Sequence, residues 1–466
     1  MKIGDAPNRG GDRRGAPCHS PEPLSKAARM TPAEARPLEF GPGAPLIGTA
    51  AVPGDKSISH RALILAALSV GRSRIDGLSA GADVAVTAAA LRAMGARITV
   101  GVDGAAEVDG VGVGGLLPPQ GALDMGNSGT SARLLIGLAA SHPIAATFTG
   151  DASLGRRPME RVAAPLRRIG AQIAAAPGGT LPLSVRGLCP AVPRTTRLAF
   201  ASAQVKSALL IAGLNTPGVT RVIEPEPTRD HGERLLKLFG ADIRIEGDEI
   251  VLAGEAELRP QRLEVAGDPS AAAFLAVAAT IVPGSELRID RVGVNPRRIG
   301  LFAMLQEMGA DLRFENEREL SGEPVADLLV RHAPLTGCEV PPAAVAAMID
   351  EFPIFFVAAA FAEGRTRTSG LAELRLKESD RLAAMAEGLR AIGARVEESE
   401  DGLAIAGSGG ELLAGAASID ARLDHRVAMA FAVAGLRCRR PIRIADMTPV
   451  RTSFPDFAGT LRGLRP

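Results

Sequence analysis

The chain has 466 residues, 46% hydrophobic and 23% charged, a balance typical of a globular protein of two or three domains. Its formal net charge of +1 argues against a nucleic-acid binder held by a broad basic surface, and the lack of Trp and Tyr argues against base-stacking platforms. The longest apolar run, Ala271 to Val282, stops at Pro283, short of the roughly 18 residues of a spanning helix. We therefore expect neither nucleic acid nor a membrane as a partner.

The four cysteines are widely separated, at Cys18, Cys189, Cys338 and Cys438. No CxxC pair or zinc-like spacing exists, so we expect no metal and a reducing, cytoplasmic location. Arginine is the usual basic residue of this chain, so each lysine is a stronger candidate for a specific role. Only six of the 53 basic residues are lysines, namely Lys2, Lys26, Lys56, Lys206, Lys237 and Lys377.

Residues 1–36 form a separate tract rich in Pro, Gly and Arg, with no apolar stretch. Such a composition predicts a disordered N-terminal extension. Two alternatives are a transit peptide, which the four acidic residues of the tract oppose, and a true translation start at Met30.

A short pattern of the form Leu-x-x-Φ-Gly-Ala, where Φ is apolar, recurs along the rest of the chain. Its glycines are Gly95, Gly170, Gly240, Gly309 and Gly393, and Leu461 to Leu464 begins a sixth copy. Each copy is typical of a helix that ends at a left-handed glycine before a strand. One or two copies could be ordinary helix ends, but five at near-even spacing indicate an internal repeat.

Each repeat of about 70 residues has room for two helices and about four strands. Residues 241–254 show the second part of a unit, because alternating apolar residues flank a Gly-Asp turn and predict a hairpin. Six units imply two domains of three units each.

Several predicted helices begin with polar or charged residues. A helix N-terminus offers free N–H groups and partial positive charge, so several such starts facing one cleft would bind anions. These starts are Lys56-Ser57 with Arg61, Asn127 to Thr130, Ser202 to Gln204, Ile349 to Glu351, Lys377 to Arg381 and Asp424 to Arg426.

Each start also has a purely structural explanation. Ser202 and Asp350 are candidate N-caps, and Gln204 fits a first-turn surface residue. Lys377 and Arg381 are like charges at i,i+4, which an anionic ligand or neighbouring acids would offset. His60 and His425 fit a structural role as well as a general base.

Five segments, taken in order, resemble the 5-enolpyruvylshikimate-3-phosphate (EPSP) synthase family, class II in particular, over residues 46–457. They are Pro53 to Arg61, Gly126 to Thr130, Ala201 to Gln204, Leu376 to Arg381 and Leu423 to Arg426. Met348 to Pro353 and Thr452 to Pro455 are further class II-like features.

The resemblance implies a two-domain inside-out α/β barrel of six βαβαββ units, with helix N-termini facing the cleft between the domains. The expected C-terminal domain combines residues 37–52 and 266–466, and the N-terminal domain spans residues 53–265. The family transfers the enolpyruvyl group of phosphoenolpyruvate to the 5-hydroxyl of shikimate 3-phosphate and releases phosphate, as a monomer without a cofactor.

The resemblance also implies roles for individual residues. Asp350 acts as the base on the 5-hydroxyl, Glu378 moves the proton at the methylene carbon, and Lys377 lies beside it. Residues expected to bind shikimate 3-phosphate are Lys56, Ser57, Arg61, Ser202, Ala203, Gln204, Arg229 and Asp350. Residues expected around phosphoenolpyruvate are Lys56, Gly129, Arg157, Arg381 and Arg426, and Lys377 is also expected to bind substrate. The analogue glyphosate is expected to compete beside Gly129.

One position departs from the class I pattern, because Thr452 stands where class I enzymes have a lysine. One cation of the phosphoenolpyruvate site is therefore replaced or missing. Two alternatives remain open. The sister family that acts on UDP-N-acetylglucosamine has a loop cysteine, which residues 152–158 lack. A non-catalytic anion-binding protein is opposed by Asp350, Lys377 and Glu378.

Overall fold

The repeated glycines end their helices as the sequence predicts. All five have a left-handed backbone, with φ between +90° and +106°. A side chain would be strained in this conformation, which explains why glycine recurs there. The predicted hairpin is also present, since Ile243–Glu246 pairs antiparallel with Glu249–Ala253.

The computed structural model describes Met1 and residues 36–101 and 104–465, so the predicted disordered extension lies outside the described residues except at Met1 and Arg36. The helices of the described residues are α1 Lys56–Ala67, α2 Ala82–Ala93, α3 Gly129–Ala140, α4 Glu160–Arg168, α5 Ala203–Leu214, α6 His231–Leu238, α7 Pro269–Ile281, α8 Gly300–Glu307, α9 Pro342–Met348, α10 Phe352–Phe361, α11 Arg381–Ala391, α12 His425–Gly435 and α13 Phe457–Gly463.

The strands of the described residues are mostly short. They are β1 Leu38–Phe40, β2 Ile47–Ala51, β3 Val70–Asp76, β4 Arg97–Val100, β5 Ala106–Val111, β6 Leu123–Asp124, β7 Ala145–Thr149, β8 Gln172–Ala176, β9 Thr180–Arg186, β10 Thr195–Arg197, β11 Val219–Ile223, β12 Ile243–Glu246, β13 Glu249–Ala253, β14 Arg262–Glu264, β15 Glu286–Gly293, β16 Asp311–Leu320, β17 Glu323–Arg331, β18 Arg365–Arg367, β19 Arg395–Glu398, β20 Leu403–Ala406, β21 Leu413–Gly415, β22 Ser418–Ile419, β23 Cys438–Arg440 and β24 Ile442–Ile444.

These elements form six α/β units. Two units follow the chain without interruption, as β6-α3-β7-α4-β8-β9 and β10-α5-β11-α6-β12-β13. In both, the first two strands are parallel and the last two are antiparallel. The other sheets have the orders β14-β3-β5-β4, β16-β17-β15-β2, β18-β20-β19, β21-β23 and β1-β24-β22.

Two of the units exchange their first strands. β2 precedes α1 in the chain but pairs with β15, whereas β14 precedes α7 but pairs with β3. The segments after these strands run side by side: Asp55 N donates to Ala266 O at 2.7 Å and Asp268 N donates to Pro53 O at 2.8 Å. β1 completes the last sheet by pairing antiparallel with β24.

The first helix of each unit lies inside and the sheets lie outside, which is the inside-out arrangement. The interior helices are rich in Ala, which allows close approach, and the approach is closest at a glycine: a Cβ on Gly137 of α3 would lie 2.4 Å from Ala208 O of α5. Buried apolar residues form two clusters. The first core runs from Ile58 to Ala266 and includes Val325, and the second core comprises Phe40 to Ala50 and Ala271 to Leu464.

Candidate active site

A cleft of about 510 Å³ lies between helices of the first core and helices of the second core. All six polar helix starts predicted from the sequence line it, so the prediction that they share one cleft is confirmed. Nine cationic and six acidic side chains line the cleft, although the whole chain carries only +1. This local excess of positive charge suits a polyanionic ligand. A second depression of about 690 Å³ on the β6–β9 sheet contains a single ionisable side chain, Arg186.

The start of α1 presents the Lys56 ammonium and the Arg61 guanidinium to the cleft. Asp55 caps the helix by accepting from Ile58 N at 2.9 Å, which leaves Lys56 free to pair with Asp83 at 3.0 Å. Arg61 donates to Ser57 O at 2.9 Å, as expected for i,i+4 neighbours. Burial lowers the pKa of Arg61 to about 10, so its guanidinium remains charged at pH 7.

The starts of α3 and α5 are joined by an arginine. Ser128 and Ser202 cap the two helices, as N-cap chemistry predicts. Arg133 Nη1 donates to Gln204 Oε1 at 2.8 Å, and Gln204 Nε2 donates to Thr130 Oγ1 at 2.9 Å. The interpretation of Gln204 as a surface residue is therefore wrong, because its amide is half-buried between two helix starts.

Arg157 reaches the cleft from the turn before α4. It is 7% exposed, and its guanidinium donates to Asn127 O at 3.2 Å and to Ser153 Oγ at 3.2 Å. Arg157 Nη1 also lies 3.6 Å from Glu378 Oε1. It therefore connects the Gly129 loop of the first core with the α11 start of the second core.

Asp350 lies among three cations. Its Oδ2 is 2.5 Å from Arg229 Nη2, and its Oδ1 is 3.3 Å from Lys377 Nζ and 3.4 Å from Arg381 Nη1. Burial by itself would raise the pKa of Asp350, but Lys377, Arg229 and Arg426 hold it well below its ordinary value. The carboxylate is not an N-cap, because α10 follows Glu351 and Asp350 faces the cleft instead.

Glu378 and Arg381 form the next charged group. Arg381 Nη2 donates to Glu378 Oε2 at 2.6 Å, and Arg381 Nε donates to the buried Asp424 at 2.8 Å. Burial opposes ionisation of Glu378, yet Arg381 and Arg157 hold its pKa well below its ordinary value. Arg381 is 1% exposed and lies beneath the cleft surface; every other site residue predicted from the sequence lines the cleft.

The expectation that Lys377 and Arg381 are one turn apart on a helix is wrong. Asp380 caps α11 by accepting from Ala383 N at 3.0 Å, so Lys377 precedes the helix. Their repulsion is offset by Asp350, which both cations contact, and by Glu378.

Arg426 closes the far side of the cleft from the start of α12. It donates to Asp350 O at 2.9 Å and to Ser270 Oγ at 3.2 Å, and lies 3.3 Å from Glu351. Arg298 lies beside it, 3.3 Å from Asp268 and 2.8 Å from Ser270 Oγ. Arg298 and Arg133 line the cleft but were not predicted from the sequence. The chain has 47 arginines, and nothing in the sequence distinguishes these two from the others.

His60, His425 and Thr452 do not line the cleft. His425 is buried, and burial together with the charge of Lys56 holds its pKa well below the ordinary value. His60 contacts Thr87 Oγ1 at 2.7 Å in the first core. Thr452 donates to Pro449 O at 2.7 Å within its own turn.

No group of three or more His, Cys, Asp or Glu side chains that could hold a metal was found among the described residues. The prediction that the protein uses no cofactor stays a prediction. In the part of the chain that the structure describes, no single helix is long and apolar enough to cross a membrane. The bent pair α9 and α10 has the length and composition of a membrane span, but α10 is wholly buried.

Comparison with known proteins agrees with this geometry. A sequence model of the EPSP synthase (3-phosphoshikimate 1-carboxyvinyltransferase) family matches residues 41–461. The chain belongs to this family. A 3-phosphoshikimate 1-carboxyvinyltransferase of Sphingopyxis alaskensis is 61% identical over 445 residues, covering 94% of this chain and all of the relative.

Solved structures show the same fold. EPSP synthase from Acinetobacter baumannii is 44% identical with a TM-score of 0.83, covering 92% of this chain and 98% of that one. The enolpyruvyl transferase NikO from Streptomyces tendae has a TM-score of 0.75 at 20% identity, with the same coverage, and shares the fold alone. The predicted fold class and family are therefore confirmed.

Proposed function

We propose that this cleft transfers the enolpyruvyl group of phosphoenolpyruvate to the 5-hydroxyl of shikimate 3-phosphate, the reaction of the EPSP synthase family. The observation that carries the proposal is the convergence of six polar helix starts on one cationic cleft that also holds two ionised carboxylates, Asp350 and Glu378. Both substrates are polyanions, which such a cleft binds through charge-assisted hydrogen bonds.

The two substrates occupy different parts of the cleft. Shikimate 3-phosphate lies between the α1 and α5 starts and Arg229, with its hydroxyls on Asp350. Phosphoenolpyruvate lies where the Gly129 loop faces the α11 and α12 starts, near Arg157 and Arg426. Lys56 lies between the two sites and contacts both ligands.

Arg133 and Arg298 add two further cations to the cleft, which offsets the lack of a lysine at Thr452.

The chemistry requires two proton transfers. Glu378 protonates the methylene carbon of phosphoenolpyruvate, which makes C2 electrophilic, and Asp350 accepts the proton of the attacking 5-hydroxyl. The resulting tetrahedral ketal then returns a methyl proton to Glu378 and loses phosphate, which carries off the proton held by Asp350, and the enol ether forms. The cations around the cleft stabilise the charge that develops on the phosphate.

Substrate binding must replace an ion pair. Arg229 and Asp350 form an ion pair across the cleft at 2.5 Å. In the proposed complex, Arg229 binds the sugar phosphate and Asp350 binds the sugar hydroxyls. Shikimate 3-phosphate therefore separates the two side chains and occupies the space between them.

The organisation around the cleft extends the proposal. We take residues 53–265 as one domain, and residues 37–52 with 266–466 as the other, because the two cores divide near these boundaries. We further propose that the protein acts as a monomer in the cytoplasm, where the substrates are made.

The test is phosphate release by the purified protein with phosphoenolpyruvate and shikimate 3-phosphate, beside a parallel reaction with UDP-N-acetylglucosamine. Because the chain has no Trp or Tyr, its concentration is set by amino-acid analysis. Release with shikimate 3-phosphate but not with UDP-N-acetylglucosamine supports the proposal. Release only with the nucleotide sugar identifies the sister activity, and release with neither acceptor overturns the proposal.

Lys56→Ala is expected to lower kcat/KM about a hundredfold, because one ammonium that contacts both substrates is lost. Lys237→Ala is the matched control, since Lys237 is exposed on α6 outside the cleft. The steady-state rate of phosphate release measures both variants, and equal rates for Lys56→Ala and the wild type would contradict the role of Lys56.

Gly129→Ala is expected to raise the KM for phosphoenolpyruvate about tenfold and to weaken inhibition by glyphosate. The new Cβ would lie 2.8 Å from Arg133 Nη1 and 3.1 Å from Arg157 Nη1, so both guanidiniums must shift. Gly121→Ala is the control, because no atom lies within 4 Å of its Cβ position. An unchanged KM and inhibition constant in Gly129→Ala would show that the positions of these guanidiniums do not determine the binding of phosphoenolpyruvate or glyphosate.

A further inference from the structure

One of the rare lysines is completely buried outside the cleft. Lys206 on α5 is 0% exposed, and its Nζ lies 2.8 Å from Glu224 Oε2 and 2.6 Å from Glu233 Oε1. A buried ammonium with two buried carboxylates is costly unless every charge has a partner, so such a group is retained for a specific arrangement. The charge of Glu233 also acts on Arg61, whose pKa is lowered by burial and raised by Glu233.

The two glutamates hold the two ends of one segment, residues 224–233. Glu224 follows β11, and its Oε1 accepts from Thr228 N at 3.3 Å and from the Thr228 hydroxyl. Glu233 lies in the first turn of α6. Lys206 therefore joins the start of the segment to its end.

Four consecutive residues of this segment contact the side of the molecule that belongs to the second core. Thr228 O accepts from Arg297 Nη1 at 2.7 Å, and Arg229 pairs with Asp350 at 2.5 Å. Asp230 accepts from Asn295 at 2.6 Å, and His231 contacts Glu323 at 2.8 Å. A shift of the segment would move Arg229 relative to the cleft.

We propose that Lys206 is a positioning residue for sugar-phosphate binding: it holds the 224–233 segment so that the Arg229 guanidinium faces Asp350 across the cleft. The inference rests on the proposed function, because Arg229 is the proposed contact for shikimate 3-phosphate. Lys206 touches neither substrate, and its effect passes through Glu224 and Thr228 to the neighbouring Arg229.

The test compares Lys206→Met with Lys237→Met, the same substitution at an exposed site on α6. We expect Lys206→Met to raise the KM for shikimate 3-phosphate at least about tenfold, with a change of less than about twofold in the KM for phosphoenolpyruvate. Lys237→Met should match the wild type in both constants. A purely structural role would lower the melting temperature and the yield but leave the two KM values in their wild-type ratio.

Thr228→Val is the second variant, because it removes the hydroxyl bond to Glu224 without unpairing a buried charge. If Lys206→Met does not fold, a selective rise in the KM for shikimate 3-phosphate in Thr228→Val supports the proposal. Unchanged KM values, or equal rises in both, overturn it. A wild type that releases no phosphate overturns the proposed function and this inference together, whereas an active wild type with unaffected variants overturns only the positioning role.

Discussion

Asp350→Asn is expected to lower kcat about ten-thousandfold, the upper range for loss of a general base. The amide cannot accept the proton of the 5-hydroxyl. It also leaves Arg229, Lys377 and Arg381 without the carboxylate that all three contact. The KM for shikimate 3-phosphate should change by only a few fold, because loss of the negative charge frees Arg229 for the phosphate. Steady-state phosphate release and calorimetric binding of shikimate 3-phosphate measure the two effects.

Asp327→Asn is the matched control for this variant. Asp327 is also nearly buried and paired with arginines, at 2.5 Å from Arg288 and 3.5 Å from Arg318, but it lies on β17 outside the cleft. We expect it to lower stability and leave kcat within a few fold of the wild type. A kcat of Asp350→Asn within tenfold of the control would show that Asp350 is not the general base.

Glu378→Gln is expected to lower kcat about a thousandfold, because the amide cannot deliver a proton to the methylene carbon. The structure adds a requirement on the protonation state of Glu378. The pKa of Glu378 is well below its ordinary value in the free cleft, so the group is ionised at pH 7 and must gain a proton before it can donate one. We expect bound phosphoenolpyruvate to draw Arg381 and Arg157 away from Glu378 and to bring negative charge near it, and both changes would raise the pKa of Glu378.

Binding of phosphoenolpyruvate should therefore take up protons, up to about one per site at a pH between the free and bound pKa values of Glu378. Calorimetry in buffers of different ionisation enthalpy measures this uptake, which should vanish in Glu378→Gln. Glu373→Gln is the control, since Glu373 lines the same cleft but pairs with Arg161 at 2.8 Å. Equal proton uptake by the wild type and Glu378→Gln would assign the proton to another group.

The repeat and the polar helix starts could be predicted because each depends on local chemistry, whereas the convergence of those starts on one cleft was implied by the family resemblance. A left-handed glycine after a helix and a polar cap before one are visible in a few residues, and the copies at Gly95 to Gly393 reinforce one another. The strand exchange could not be predicted in this way. β2 and β14 are short, and their partners β15 and β3 lie about two hundred residues away, so only the family resemblance indicated where they pair.

The errors at the site concern features that spacing along the sequence does not show. Gln204 occupies an ordinary first-turn position, yet Arg133 reaches across from α3 to bond it. Lys377 and Arg381 have helical spacing, but the cap at Asp380 starts the helix between them. Arg298 follows another arginine in a loop, and only the fold brings it to Asp268 and Ser270.

The pairing of β1 and β2 with late parts of the chain affects the order in which the protein folds during synthesis. The first core is complete once residue 266 has left the ribosome, apart from Val325, and it contains its own strand β14. β2 can pair only after residues 286–290 are made, and β1 only after residues 442–444 are made. Both are edge strands of three and five residues, so the nascent chain offers little unpaired backbone to a neighbouring chain while it waits.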